Sequence, residues 1–396
     1  MKRIESIYNS PNDGLSEVCH LSKNLYNEAN YIVRQEFIST GKWTRYYALC
    51  KALKDSENYT SLPAQTAQQV LRGVDHAWKS FFGAIKEWKA HPEKFIGRPG
   101  LPHYLDKDGE YVLSFTNQQV RIKDGTLKLP KKIGLEVRTR LPDNTKLRGA
   151  RIVPQGVGYQ VEIIYEKETP EPRKSKPKRI AGIDLGVNNL VTIGTNIGGI
   201  EPIVVKGGLV KSWNQFYNKE KAKLQSVYDH QGIKDGFGME KLAMKRKFKL
   251  RDYFHKTSRA IIDWCVKNKI DTIVIGHNKG WKQDINIGAR NNQNFVSIPF
   301  DMLRKQLAYK AEEHRILPVD SNEDHTSKCS FLDGESVEHH DKYMGRRIKR
   351  GLFRASDGRT INADLNAAYN IIRKAFPKAF AKGIEGLGMA PRRLNV

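Results

Sequence analysis

The most constraining stretch of the sequence is Arg179-Ile180-Ala181-Gly182-Ile183-Asp184-Leu185-Gly186, an apolar strand that carries one acidic residue. Burying an unpaired carboxylate in such a strand costs on the order of several kcal/mol. Asp184 therefore either caps the turn at Val187-Asn188-Asn189 or faces a cation. Punctuation and periodicity place the next elements in order: a returning strand over 190–195, a third over 202–206 after the Gly198-Gly199 turn, and a long basic helical stretch over 213–267. A fourth strand over 271–275, an amphipathic helix over 300–314 and a fifth strand over 315–319 follow.

The order β-β-β-α-β-α-β is that of the RNase H sheet. In that sheet the middle of the first strand lies beside the fourth, and an aspartate there holds divalent cations. Near the C-terminus, Thr360-Ile361-Asn362-Ala363-Asp364-Leu365-Asn366-Ala367-Ala368-Tyr369-Asn370 opens the last long helix, with Asp364 in its first turn. The helix dipole stabilises an anion at that point, so capping alone accounts for Asp364 taken singly. The two aspartates together are far more specific.

Upstream the texture changes twice. From 13 to about 89 the apolar residues recur at helical spacing, and Ser61 is the expected N-cap of a helix with Pro63 in its first turn. That helix aligns Ala67, Val70, Leu71, Val74, Ala77, Trp78, Phe81, Phe82 and Ile85 as a bundle-core stripe, leaving Gln65, Gln68, Gln69, Arg72 and Lys79 to face a nucleic acid. After Gly97-Arg98-Pro99-Gly100-Leu101-Pro102, short β-like runs cover 111–115, 119–122, 126–129, 135–139, 147–153 and 159–165, which suggest a small barrel. Residues 168–179 interleave prolines with Arg173, Lys174, Lys176 and Lys178 and read as a linker.

The charge balance says what such a chain meets. With 68 Lys+Arg against 43 Asp+Glu the net charge is +25, an excess that points to a polyanion, while 39% hydrophobic residues exclude a disordered basic tail. No run of eighteen apolar residues exists and Met1-Lys2-Arg3-Ile4-Glu5-Ser6 lacks a signal-peptide core, so a cytoplasmic protein with no membrane partner is expected. The four cysteines form no C-x-x-C pair, which fits a reducing compartment.

Four segments, in order and spacing, resemble the RuvC nuclease half of TnpB, the transposon-encoded RNA-guided nucleases related to type V CRISPR effectors. They are Gly182-Ile183-Asp184-Leu185-Gly186-Val187, Gly288-Ala289-Arg290-Asn291-Asn292-Gln293-Asn294-Phe295, Thr326-Ser327-Lys328-Cys329-Ser330 and Asn362-Ala363-Asp364-Leu365-Asn366-Ala367-Ala368. The resemblance covers nearly the whole chain. It implies an α+β multidomain protein: a wedge-like β-barrel (1–12 and 95–170), a helical recognition domain (13–94), a linker (171–179) and a RuvC/RNase H-like α/β domain (180–396). That last domain would carry a basic helical insertion (207–268) and a degenerate zinc-ribbon, target-nucleic-acid-binding segment (326–360).

The resemblance further implies RNA-guided endonuclease activity on target double-stranded DNA, a transposon-end-derived guide RNA, reading of a short flanking motif, and two Mg2+ ions about 3.5–4 Å apart held by two Asp and one Glu. Asp184 and Asp364 match the aspartates. Gly276 stands where the glutamate usually ends the fourth strand. Either the acid has moved to Glu323, with Asp320 and Asp324 as possible substitutes, or it is lost and the chain is a nuclease-dead RNA-guided repressor. Retention of both aspartates favours the move. His277 is a further possible metal neighbour.

In the ribbon segment only Cys329 remains, with Leu332 where its pair belongs, and Cys329, His339, His340 and Asp341 fit no common zinc spacing. A zinc-free segment packed by Phe331, Leu332, Tyr343 and Phe353 is expected. Basic residues cluster at Lys219 to Arg251, including Lys245, Arg246 and Lys247; at Arg346, Arg347, Lys349, Arg350, Arg354 and Arg359; and from Arg121 to Arg151. Beside a RuvC site these would contact phosphates. Tyr46, Gln65, Gln68, Gln69 and Asn117 are candidates for reading the flanking motif, and Trp281 for stacking or packing.

Overall fold

The computed structural model describes residues 1–168, 170–171, 175–234, 236–278 and 295–396. Most of the Gly288 to Phe295 motif, and Trp281, therefore lie outside the described residues, as do positions 172–174 of the linker. The chain divides into two units, Met1–Glu168 and Thr169–Val396.

In the first unit, β1 (Lys2–Asn9) leads into four helices, α1 (Asp13–Thr40), α2 (Tyr46–Leu53), α3 (Glu57–Thr60) and α4 (Ala64–Ala90). The strands β2 (Leu113–Thr116), β3 (Arg121–Lys123), β4 (Thr126–Lys128), β5 (Glu136–Arg138), β6 (Leu147–Pro154) and β7 (Tyr159–Glu166) follow. They form two sheets, ordered β1-β7-β6-β2 and β3-β4-β5. Helices and strands share one continuous core from Leu15 to Ile163. The α4 stripe explains why: Ala67, Val70, Leu71, Val74 and Trp78 are buried, and α4 packs on both α1 and β2. Trp78 Nε1 donates to Asn30 Oδ1 of α1 at 2.9 Å, satisfying its one polar atom inside that core. Ser61 does not cap α4; Pro63 stands at the N-cap with no side-chain hydrogen bond.

The second unit is built on a six-stranded sheet. Its strands are β8 (Ile180–Leu185), β9 (Asn189–Thr195), β10 (Ile203–Lys206), β11 (Thr272–Gly276), β12 (Leu317–Ser321) and β16 (Arg392–Arg393), in the order β12-β11-β8-β9-β10-β16. β8 pairs antiparallel with β9 and parallel with β11, which pairs parallel with β12. The expected basic stretch is two helices, α5 (Gly208–His230) and α6 (Phe237–Lys267), parted at Gly232, whose φ of 67° favours glycine. The sequence treated 207–268 as an insertion, but α6 supplies Leu250, Phe254, Ile261 and Ile262 to the core beneath the sheet, beside α7 (Phe300–Glu313).

The opposite face carries α8 (Ala363–Ala375), preceded by a three-stranded sheet of β13 (Arg346–Lys349), β14 (Leu352–Arg354) and β15 (Thr360–Asn362). Strand alternation assigns the faces. Ala181, Ile183, Ile273 and Ile275 join the α6/α7 core, whereas Ile180 and Val274 join the α8 core. Gly182, Asp184 and Gly276 fall on the α8 side by the same period of two. A Cβ on Gly182 would stand 2.1 Å from Ala368 O, so only glycine lets α8 seat this close to β8.

Candidate active site

Asp184 is the next-to-last residue of β8, opposite Thr192 of β9. Burial, and then the charges of Glu323 and Asp364, push its carboxyl well above the usual carboxylate range, while Arg347 pulls it down. At the turn that follows, the Gly186 N–H is taken by Leu190 O at 3.3 Å.

Asp364 sits in the first turn of α8, but it does not cap that helix. Asn362 does, with Oδ1 accepting from the N–H of Asp364 and of Leu365, both at 3.1 Å. The Asp364 carboxylate is left to other donors: Asn189 Nδ2 at 2.7 Å on Oδ2 and Arg347 Nη2 at 3.3 Å on Oδ1.

Glu323 lies on the loop after β12. Its N–H donates to Asn278 Oδ1 at 2.7 Å, and its carbonyl accepts from Thr326 Oγ1 at 2.8 Å, which fixes the backbone. The side chain occupies the space that a side chain on Gly276 would need: a Cβ there would lie 2.2 Å from Glu323 Oε1 and 2.6 Å from its Cγ. Oε1 is buried with no hydrogen-bond partner among the described residues. Burial, with Asp324 adding to it, raises this carboxyl to about 7. The two substitutes are differently employed. Asp320 is bonded to Arg304 Nη1 at 2.6 Å and Asp324 accepts from Asn278 Nδ2 at 2.9 Å; Asp324 is exposed, and the Asp320 side chain is about half exposed.

Three acidic side chains whose charges meet at Asp184, one of them with an orphaned buried oxygen, form the all-oxygen donor set that suits a hard divalent cation. Among the described residues no three His, Cys, Asp or Glu side chains already stand in ligand geometry around one point, in keeping with Asp364 being held by Arg347 and Asn189. The carboxylate set fits a divalent metal in its donor chemistry.

Comparison with known proteins follows the same outline. Residues 162–282 match the OrfB_IS605 family model, described as a probable transposase, and residues 300–371 match the Cas12f1-like TNB domain. The TnpB-like protein ORF457 of Acidianus two-tailed virus is 24% identical, across 91% of this chain and 83% of that protein. Together these matches support the TnpB family. Its fold resembles that of Cas12f1 in a Cas12f1–guide RNA–target DNA complex, with a TM-score of 0.55 at 13% identity, covering 91% of this chain and 82% of that one. The α+β, RuvC-containing architecture expected of a TnpB protein is the one observed.

The segment over 326–360 is held by carboxylates and apolar packing. Buried Glu335 accepts from the N–H of Ser330 at 2.6 Å and of Met344 at 2.8 Å. Asp333 accepts from the N–H and Oγ of Ser356, and Phe331, Leu332 and Phe353 enter the α8 core. Tyr343 stays at the rim, its hydroxyl 3.1 Å from His325 Nδ1. Cys329 is buried with Sγ towards Glu338 O at 3.4 Å, and His339 and Asp341 are exposed. The N–H of His277 extends the ladder to Ser321 O.

The basic candidates divide by what they already touch. Lys245, Lys247, Arg346, Lys349, Arg350 and Arg354 are exposed. Arg246 is not free to bind phosphate: its guanidinium donates to Asn214 Oδ1 at 2.7 Å and Ser297 O at 2.5 Å and covers the Tyr217 ring, tying α5 to the segment before α7. Arg347 is bound to Asp364. In the first unit Gln65 accepts from Thr116 Oγ1 at 2.5 Å, Arg72 is exposed with its guanidinium over the Tyr46 ring, and Gln68 and Gln69 are half-buried on α4. Sequence reasoning passed over the asparagines. Asn189, Asn278 and Asn362 orient the carboxylates, while Asn366 and Asn370 hold Cys329 O at 2.9 and 2.8 Å. Their clustering beside each acidic motif was the available signal.

Proposed function

We propose that this chain is an RNA-guided DNA endonuclease of the TnpB subgroup in which the RuvC glutamate has moved to the loop after β12, with Asp184, Glu323 and Asp364 as its metal-binding carboxylates. The observation that carries the reading is the fit between Gly276 and Glu323. A residue that had simply been lost would not leave a glycine whose missing side-chain volume is filled by another glutamate aimed at the same place. The unpartnered, buried Oε1 supports it further.

In this reading Asp184, Glu323 and Asp364 hold divalent cations, Mg2+ in the family, which would supply a low-pKa water and stabilise the leaving oxygen of a phosphodiester. The protein's own part is positional. Gly182 brings α8 onto β8 so that Asp364 approaches Asp184, Asn278 and Thr326 fix the Glu323 backbone, and the hairpin β13/β14 presents Arg346, Arg350 and Arg354 to backbone phosphates. Target choice would come from a guide RNA by base pairing, with a short flanking motif read by the first unit through residues such as Gln65, Gln68, Gln69 and Arg72.

The test is a plasmid-cleavage assay with protein co-purified with its RNA, in Mg2+, on a guide-matched target. Cleavage that is lost in D184N supports the proposal. Tight target binding with no cleavage by the unmodified protein identifies a nuclease-dead binder and overturns it.

A further inference from the structure

The hairpin β13/β14 carries one basic residue that behaves unlike its neighbours. In the antiparallel register Arg346 stands opposite Arg354, and Arg347 opposite Phe353, which in turn stands opposite Ile361 of β15. Directly opposed residues share a face. Phe353 and Ile361 are buried against α8, and Arg347 shares their cross-strand row although its side chain is 48% exposed, while Arg346 and Arg354 stand in the other row. A half-exposed charge in such a row gains modestly from a partner within reach. Arg347 has one: Nη2 is 3.3 Å from Asp364 Oδ1. The other oxygen, Oδ2, takes Asn189 Nδ2 at 2.7 Å, and Asn189 Oδ1 in turn accepts from Lys206 Nζ at 2.9 Å. Both carboxylate oxygens of Asp364 are thus engaged by the protein itself, with a full positive charge on one of them.

We propose that Arg347 is a positioning residue for Asp364: in the metal-free chain its guanidinium serves as the built-in counter-cation of this carboxylate, and a divalent cation must displace it to gain Oδ1. The inference rests on the proposed role of Asp364 as a metal ligand. It accounts for two facts together, the arginine held on Asp364 and the lack, among the described residues, of three acidic side chains already in ligand geometry. The arrangement keeps Asp364 ordered at low metal concentration and sets the concentration at which the site fills. The Arg347 side chain is 48% exposed and that of Asp364 27%, so the contact is strong enough to order the pair and weak enough to be exchanged.

The experiment is calorimetric titration of Mn2+ into the full-length protein without nucleic acid, at low ionic strength, for the wild type and the variants R347A, R347M, R354A and D364N. A half-exposed ion pair limits the gain, so R347A is expected to bind Mn2+ about fivefold more tightly. R347M keeps a side chain of similar length without the charge and serves if R347A fails to fold; the same tightening is expected. R354A removes an equal charge from the outward face and is expected to stay within about twofold of the wild type, which separates the specific contact from a general loss of positive field. Equal or weaker Mn2+ binding by R347A and R347M, in a protein where D364N lowers the affinity at least about tenfold, overturns the inference alone. If D364N leaves the affinity unchanged, Asp364 is not a ligand and the underlying reading fails with it.

Discussion

Gly276→Ala is the smallest change that tests the relocated glutamate. The new Cβ would lie 2.2 Å from Glu323 Oε1, 2.6 Å from its Cγ and 2.7 Å from Ile371 Cδ1. Ordinary contacts need more than 3 Å, so the glutamate must retreat by about 1 Å or more, because Ile371 is fully buried against the sheet and cannot make room. Overpacking of this size costs about 1–3 kcal/mol, which for a unit of this length lowers Tm by about 2–4 °C per kcal/mol. The larger effect falls on chemistry, since a misplacement of about 1 Å costs roughly 100-fold in rate. The assay pairs guide-directed plasmid cleavage with target binding: cleavage is expected to fall about 100-fold while binding stays within about threefold. The complementary swap, Gly276→Glu with Glu323→Ala, returns the acid to the strand end and is expected to recover part of the cleavage that Glu323→Ala loses. Full cleavage by Gly276→Ala, or no recovery in the swap in a protein that still folds and binds, refutes the volume argument.

Burial and neighbouring charges raise Asp184, and raise Glu323 from 4.5 to about 7, so the folded chain binds more protons than the unfolded one between those values. Stability of the metal-free protein should therefore fall as pH rises from about 4.5 to 7 through these groups, and the Tm gain on adding Mg2+ should be larger at pH 8 than at pH 5.5 in differential scanning fluorimetry. Glu335→Ala removes bonds to two backbone N–H groups, that of Ser330 buried, and should cost about 1–3 kcal/mol in denaturant unfolding, whereas a zinc-selective chelator should leave Tm unchanged. Arg246→Ala should lower stability and leave the salt dependence of DNA binding intact, because its guanidinium is spent on Asn214 and Ser297. Arg354→Ala should instead reduce the slope of log affinity against log salt by about one, measured by fluorescence anisotropy.

The sheet of the second unit was legible because its signals are local. An apolar run with one aspartate, a glycine turn and a returning strand specify β8 and β9, and the helix between β11 and β12 follows from the need of parallel strands for a crossover. The two aspartates could be found for the same reason, each lying in a short motif with a fixed place on its element. Three things could not. The split of the basic stretch into α5 and α6 depends on whether Gly232 takes a left-handed or a helical conformation, both open to glycine. The role of α6 depends on which face of the helix meets the sheet, a tertiary fact that a string of lysines hides. The preference for Glu323 over Asp320 and Asp324 depends on partners far away in sequence: Arg304 takes Asp320, Asn278 takes Asp324, and only Glu323 turns into the gap above Gly276. Likewise Arg246 and Arg347 looked like their basic neighbours, and only their partners set them apart, Asn214 and Ser297 for the one and Asp364 for the other.

The central claim is that Glu323 completes the carboxylate site. Its most direct test is the Mg2+-dependent cleavage rate of E323Q, measured beside D320N and D324N on the same guide-matched plasmid, with target binding followed in parallel. The account predicts that E323Q binds the target as the wild type does and cuts at least about 1000-fold more slowly, while D320N and D324N remain within about tenfold. An E323Q variant that still cuts at the wild-type rate, or a loss confined to D320N or D324N, would contradict it.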